Sequence, residues 1–230
     1  MIQSFTSSLS SPADLRQLLE QLYRERSLQP FRSGQPIQMR ADEVWIVCRG
    51  IVSLNTLYPT GDEALLGVVT ASMPFGLPLT GISPYHAIAL TDADLMGFTL
   101  TEIEKSPALS QGIFPHLARR LQQTEAFLAL AGYRRVEERL KQFLLLLQHE
   151  VGQPGAEGVR LNVRLTHQQI ANAIGTTRVT VTRLLGQLRQ EGWITVGANR
   201  QIILHNQTMT VHTTNAQTMT VHTANVANSL

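Results

Sequence analysis

The chain has 230 residues, 43% hydrophobic and 16% charged, an ordinary composition for a globular protein with room for two modest domains. No apolar run approaches the roughly 18 residues of a membrane span, and the N-terminus lacks the pattern of a secretory signal. A single cysteine, Cys48, excludes an internal disulfide framework and an all-cysteine iron–sulfur cluster. We therefore expect a cytoplasmic protein with no membrane partner and no metal site.

The net charge of +2 is unevenly distributed. Residues 1–114 carry seven Lys and Arg against eleven Asp and Glu, whereas residues 115–230 carry twelve against six. An acidic first half and a basic second half are typical of a sensor joined to a nucleic-acid binder. A chance asymmetry on a solvated surface is the alternative, and charge alone does not separate the two.

The first half reads as a β domain. A leucine pattern from Asp14 to Arg26 predicts one helix, and from Ser27 to about Thr99 short β-branched and apolar runs alternate with turn residues. Many short strands at this spacing predict a small antiparallel barrel or roll. We assign residues 1–110 to this domain.

A long helical pattern begins near Pro115, since proline is favoured in the first turn of a helix. Its stripe has the alternating spacings of three and four residues found in a two-stranded coiled coil: Phe114, Leu117, Leu121, Thr124, Leu128 and Ala131. An amphipathic helix lying on its own domain is the alternative. The narrow stripe favours a partner helix, so we predict a dimerisation helix at 111–135 and a homodimer.

Residues 136–205 carry the pattern of a winged helix-turn-helix. After a helix from Val136 to about His149, a turn at Gly152–Gly158 and a strand at Val159–Leu165, two short helices are joined by a tight turn. The signals are a capping box of Thr166 with Gln169, a helix-ending Gly175, a helix-capping Thr177 and a hairpin wing formed by Trp193–Val196 and Gln201–Leu204. Duplex DNA is the expected partner.

In this motif the N-terminal residues of the second helix face base edges in the major groove. We predict base contacts from Arg178, Val179, Thr182 and Arg183, because a guanidinium donates two hydrogen bonds to guanine and valine can contact a thymine methyl. Predicted phosphate contacts are Thr166, His167, Gln168, Thr177, Thr180 and Arg200. A helical hairpin inside an enzyme is the alternative, but no nucleophile elbow, P-loop or HExxH motif supports catalysis.

The segment IGTTRVTVTRLLGQLRQEGWI resembles the recognition-helix region of the CRP/FNR family, and the resemblance spans about residues 27–205. TTRVTVTRLL and YHAIALT are most similar to its cyanobacterial nitrogen-control branch, NtcA. The resemblance implies an α+β fold with a cyclic-nucleotide-binding-like β-roll, a dimerisation helix and a C-terminal winged helix-turn-helix. It also implies that Arg178 and Arg183 read a palindromic operator with half-sites about 34 Å apart, and that RNA polymerase is a further partner.

In the sensor the resemblance weakens. Phe75-Gly76 matches the family's phosphate cassette, but Leu77 follows where the cyclic-AMP branch has a glutamate, and no arginine stands beside Tyr85-His86. A cyclic phosphate would lose its charge-assisted contact, so we expect no productive binding of cyclic AMP. The arginine with which the nitrogen-control branch binds 2-oxoglutarate in this region is missing too. The candidate effector pocket comprises Phe75, Gly76, Leu77, Tyr85, His86, Arg120 and Thr124.

Three alternatives stay open for the sensor: altered specificity, no ligand control with constitutive DNA binding, or a roll that only scaffolds the dimer. His86 as a haem ligand and Cys48 as an oxidation sensor are less favoured, because isolated residues of these types in strands are more often structural. The segment 206–230 repeats QTMTVHT and predicts a poorly ordered tail.

Overall fold

The computed structural model describes residues 26–197 and 201–205. The predicted helix before Arg26, the wing residue Arg200 and the repeated tail at 206–230 lie outside these ranges. The described strands of the first half are β1 (Gln29–Phe31), β2 (Pro36–Ile37), β3 (Glu43–Arg49), β4 (Val52–Leu57), β5 (Glu63–Val69), β6 (Pro74–Gly76), β7 (His86–Ala89) and β8 (Ala93–Thr99).

These eight strands form the predicted antiparallel roll from two four-stranded sheets, in the orders β1-β8-β3-β6 and β2-β7-β4-β5. Alternation along β3 explains how the first sheet is covered on both faces. Trp45 and Val47 join the apolar interior of the roll, whereas Ile46 packs in a second cluster with Leu109 and Ile113 of the helix that follows. The roll is therefore fixed to this helix by buried apolar side chains.

The long helix begins earlier than the sequence analysis predicted. A short helix α1 (Leu100–Lys105) leads into α2 (Pro107–Leu130), which Ser106 caps by accepting a hydrogen bond from Leu109 N at 3.3 Å. The predicted start near Pro115 is wrong, because Pro115 lies inside the helix and the proline of the first turn is Pro107. The helix also ends before the predicted residue 135. The domain boundaries at 110, 135 and 205 stay predictions.

The C-terminal half contains the predicted winged helix-turn-helix. Its elements are α3 (Val136–Val151), β9 (Gly152–Gly155), β10 (Gly158–Leu161), α4 (His167–Ile174), α5 (Arg178–Gln190), β11 (Ile194–Val196) and β12 (Ile202–Leu204). The strands make one antiparallel sheet in the order β11-β12-β10-β9. The segment predicted as a turn at Gly152–Gly158 is instead the first strand of a hairpin and its connection, and β10 ends at Leu161 rather than Leu165.

One apolar cluster connects the two halves of the molecule. It contains Ile51, Val68 and Leu90 of the roll together with buried side chains of α3, α4 and α5, such as Phe143 and Leu184. The head, residues 136–205, therefore packs on the roll through a shared core. Within the described ranges, the chain has no helix of the length and apolarity that crossing a bilayer requires.

Candidate functional site

Local hydrogen bonds set the start and end of the two helices of the helix-turn-helix. Thr166 Oγ1 accepts from Gln169 N at 3.1 Å while Gln169 Oε1 accepts from Thr166 N at 2.8 Å, which confirms the predicted capping box of α4. Gly175 ends α4 with a φ of 62°, a conformation that glycine adopts without steric cost. Thr177 Oγ1 then accepts from Thr180 N at 3.2 Å and caps α5.

The buried face of α5 orients its outer face toward solvent. Val181, Leu184 and Leu188 are buried against the rest of the head. The predicted base-contacting residues lie on the opposite face and are all exposed: Arg178, Val179, Thr182 and Arg183. Val179 is 78% exposed, so its methyl groups are free to contact a thymine methyl in a major groove.

His167 and Thr182 connect the start of α4 to α5. His167 Nδ1 lies 2.7 Å from Thr182 Oγ1, and Thr182 Oγ1 donates to the carbonyl of Arg178 at 2.9 Å. Because a hydroxyl carries one proton, this arrangement makes His167 Nδ1–H the donor to Thr182. The hydroxyl proton of Thr182 is thus used within the protein, so toward a base this side chain offers its methyl group and the remaining lone pair of its oxygen.

The predicted phosphate contacts surround the same face. Thr166, Gln168 and Thr177 are exposed, while His167 and Thr180 are half-buried. Thr180 Oγ1 lies 2.9 Å from Thr177 Oγ1, so the two hydroxyls are adjacent at the start of α5. Arg200 falls outside the described residues, and its phosphate contact stays a prediction.

The stripe on α2 divides into two parts. Phe114, Leu121 and Leu128 are 60%, 61% and 74% exposed and recur at intervals of seven residues. Thr124 is exposed between them, with its hydroxyl donating to the carbonyl of Arg120 at 2.9 Å, and the exposed Ala131 caps the helix end. Leu117 is half-buried and packs on the cluster of Ile46, so it faces its own domain.

A buried polar cluster lies where α2 meets β5. Gln123, only 2% exposed, accepts at Oε1 from Val68 N at 3.1 Å and from Arg120 Nη1 at 2.6 Å. A Cβ on Gly67 would lie 2.5 Å from Arg120 Nη1, so a larger residue would displace the end of the Arg120 side chain. Sequence reasoning missed Gln123 and Gly67, because their contacts join residues far apart in the chain.

Burial determines the electrostatics of this cluster. Desolvation raises the pKa of Tyr85 to about 12, against the opposing effect of the Arg120 guanidinium. Desolvation also lowers the pKa of Arg120, against the opposing effects of Tyr85 and Glu150. Tyr85 and Arg120, both predicted pocket residues, are therefore electrostatic neighbours at a partly dehydrated site.

The other predicted pocket residues are dispersed. Phe75 is buried in the roll's core and Gly76 is buried beside it in β6. Leu77, Tyr85 and His86 line a depression of about 420 Å³ whose lining does not include Arg120, and Thr124 is exposed on α2. Among the seven residues, Tyr85 and Arg120 thus influence each other electrostatically, but the single chain does not gather all seven around one cavity.

Comparison with known proteins agrees with this geometry. Residues 138–208 match the model of the Crp-like helix-turn-helix domain. The global nitrogen regulator of Nostoc sp. is 35% identical over 197 residues, which cover 82% of this chain and 83% of that protein. The CRP-like cAMP-activated global transcriptional regulator of Mycobacterium tuberculosis is 27% identical over 207 residues, covering 87% and 91% of the two chains.

A solved structure shows the same fold. The crystal structure of a CRP-family transcriptional regulator from Thermus thermophilus superposes with a TM-score of 0.67 at 26% identity, covering 77% of this chain and 92% of that one. With the β-roll, the long helix and the winged helix-turn-helix in place, these similarities establish that the chain belongs to the CRP/FNR family of DNA-binding transcription regulators.

Proposed function

We propose that this regulator binds a palindromic operator as a homodimer whose two α2 helices pair along Phe114, Leu121 and Leu128. The observation that carries the proposal is the exposure of these three large apolar side chains at seven-residue intervals on one helix. Such a stripe is typical of the seam of a two-stranded coiled coil, and pairing would remove its apolar surface from water. Thr124 and Ala131 lie along the same stripe.

In the proposed complex, α5 of each protomer enters a major groove. Arg178 and Arg183 donate to guanine edges and Val179 contacts a thymine methyl, while the N-terminal residues of α4 and α5 position the head on phosphates. These phosphate contacts are Thr166, His167, Gln168, Thr177, Thr180 and Arg200. A two-fold dimer then places its half-sites about 34 Å apart in successive major grooves.

Selection of bound duplexes from a random DNA pool tests this proposal. We expect an inverted repeat whose half-site centres are separated by about one helical turn. Sedimentation of the complex should give two chains per duplex. A selected sequence without inverted symmetry, or one chain per duplex, would contradict the dimer on a palindrome.

The cluster of Arg120 and Gln123, with Tyr85 as its electrostatic neighbour, is the proposed point at which an effector would act. The hydrogen-bond acceptor of Arg120 is a neutral amide rather than a carboxylate, so an anionic ligand would gain a charge-assisted contact there. The absence of an arginine beside Tyr85-His86 argues against cyclic AMP, although one relative is by name cAMP-activated. Operator affinity measured with and without small metabolites distinguishes effector control from constitutive binding: a change in affinity rejects the scaffold hypothesis.

The remaining proposals follow from the relatives. They are transcription regulators, which supports a non-catalytic protein that works beside DNA in the cytoplasm and contacts RNA polymerase. A direct pull-down of purified polymerase on operator DNA tests the polymerase contact.

A further inference from the structure

A groove of about 920 Å³ runs between α5 and the wing strands β11 and β12. Gly186 of α5 forms one wall, and Val196 and Ile202 of the wing form the other. Leu185 and Ile194, both buried, lie at its apolar floor.

The charges that line this groove are positive. Arg164, Arg178 and Arg189 all line it and are exposed, and none of the described lining residues is Asp or Glu. Within residues 26–197 and 201–205, none of the three arginines forms an ion pair. Arg178 and Arg189 are eleven residues apart on α5, about 16 Å along the helix axis. The positive charge of the groove therefore continues along α5 beyond Arg178, the predicted base contact.

The groove is continuous with the base-reading face. Arg178 and Thr182 line it, and so do Thr166, His167 and Gln168 at the start of α4. When α5 lies in a major groove, the strand at the edge of that groove must pass between α5 and the wing. A sugar–phosphate strand matches the chemistry, because its sugars can lie on the apolar floor while its phosphates meet the arginines.

The glycine at position 186 is a second feature that favours a bound strand in this groove. It lies inside α5, where glycine costs about 1 kcal/mol relative to alanine. A Cβ at Gly186 would meet no atom within 4 Å, so packing within the chain does not require glycine. The missing side chain instead leaves open space on the α5 side of the groove.

We infer that this groove seats one sugar–phosphate strand of the operator, with Arg164 and Arg189 as phosphate contacts and Gly186 as the residue that leaves room for the strand. The inference rests on the proposed orientation of α5 in the major groove. It adds two cations and one clearance position to the predicted phosphate contacts. These contacts fix the position of the head on DNA and do not read its sequence.

Salt-dependent binding tests the two arginines. Arg164→Gln and Arg189→Gln are each titrated with the selected duplex and with a scrambled duplex between 50 and 200 mM salt. The logarithm of the association constant falls linearly with the logarithm of the salt concentration. For each variant we expect this slope to become shallower by about 0.9 per bound protomer, because one phosphate contact is lost. The loss of affinity is then about three- to fourfold greater per protomer at 50 mM than at 200 mM. Preference for the selected duplex should be unchanged.

Arg160→Gln is the matched control, because Arg160 is exposed on β10, donates to Gln153 Oε1 at 3.2 Å and does not line the groove. It should leave the slope as in the wild type. If Arg164→Gln and Arg189→Gln also leave the slope unchanged while the wild type binds DNA sequence-specifically, the inference is wrong and the proposed function stands. If the wild-type protein binds none of the duplexes, the proposed function is wrong as well.

Gly186→Glu and Gly186→Gln separate charge from volume. The two side chains are nearly equal in size, and the open space at Gly186 allows both to fold, which thermal unfolding checks. We expect Gly186→Glu to bind at least tenfold more weakly than Gly186→Gln at 50 mM salt, because only glutamate repels phosphate. Equal affinities for the two variants would overturn the seating of the strand in this groove.

Discussion

The head and the junction of roll and α2 use polar side chains in opposite ways. In the head, Arg178 and Arg183 extend from a helix whose caps are formed by neighbouring residues, and they face solvent. At the junction, the buried side-chain oxygen of Gln123 accepts hydrogen bonds from Arg120 and from the backbone N–H of Val68. The head presents a surface for a partner, whereas the junction connects two elements of the same chain.

This difference indicates which functions can be inferred for one protein from the sequence pattern of a relative. A surface that reads DNA needs the right side chains at helical spacing, and these are adjacent in the sequence. A buried junction depends on contacts between residues far apart in the chain, so a substitution at one position changes which side chain fits at the other. Substitutions on α2, in the head and at the junction test this division.

The largest effect is expected for Leu121→Glu, which places charge in the proposed seam between two protomers. The protein should become monomeric, and operator affinity should fall by about 10²- to 10⁴-fold because the two half-sites are then bound independently. Sedimentation and DNA titration measure the two effects. Gln122→Glu adds the same charge at the neighbouring exposed position and should leave the dimer intact. If the Leu121→Glu protein is still a dimer, the dimer seam does not lie on α2.

Arg178→Ala is expected to act on the head alone. It should cost about 1–3 kcal/mol of discrimination at each half-site and leave weak, salt-sensitive binding to any duplex. Competition between selected and scrambled duplexes measures the discrimination, and Arg160→Ala serves as the control. Unchanged specificity in Arg178→Ala would show that another element reads the bases.

Gly67→Ala is expected to disturb the junction. The added Cβ would lie 2.5 Å from Arg120 Nη1 and 2.7 Å from Gln123 Oε1, so both side chains must move. Overpacking of this kind costs about 1–3 kcal/mol, which denaturant unfolding measures. Gly81→Ala, where a Cβ meets no atom within 4 Å, should be nearly neutral. Equal stability of the two variants would mean that the junction rearranges freely.

The smallest effect is expected from acid. Hydrogen bonds from Arg26 and from Thr99 lower the pKa of Glu102 from 4.5 to about 2. A carboxyl whose pKa is lowered by folding stabilises the fold above its unfolded pKa, and loses this contribution as pH falls from about 4.5 to 2. The pair is partly exposed and is expected to contribute about 0.2–1 kcal/mol. The difference in unfolding free energy between wild type and Glu102→Gln should therefore vanish in that pH window and stay constant between pH 6 and 7.

The sequence was most informative where structure depends on near neighbours. The capping box of Thr166 and Gln169 and the left-handed Gly175 are local signals, and the structure confirms both. The start of α2 was missed because Pro115 and Pro107 carry the same first-turn signal, and only the capping Ser106 distinguishes them. The bond from Val68 to Gln123 spans 55 residues, and no periodicity in either segment indicates it.

The apolar cluster shared by Ile51, Val68 and Leu90 of the roll with the helices of the head has a consequence for engineering. A fragment cut out near residue 136 would present to water the surface that these side chains normally cover, and would be prone to aggregate. Chimeras that graft this DNA-reading unit onto a foreign sensor must therefore carry matching residues at these three positions. The two halves should also melt together in calorimetry, as one cooperative transition.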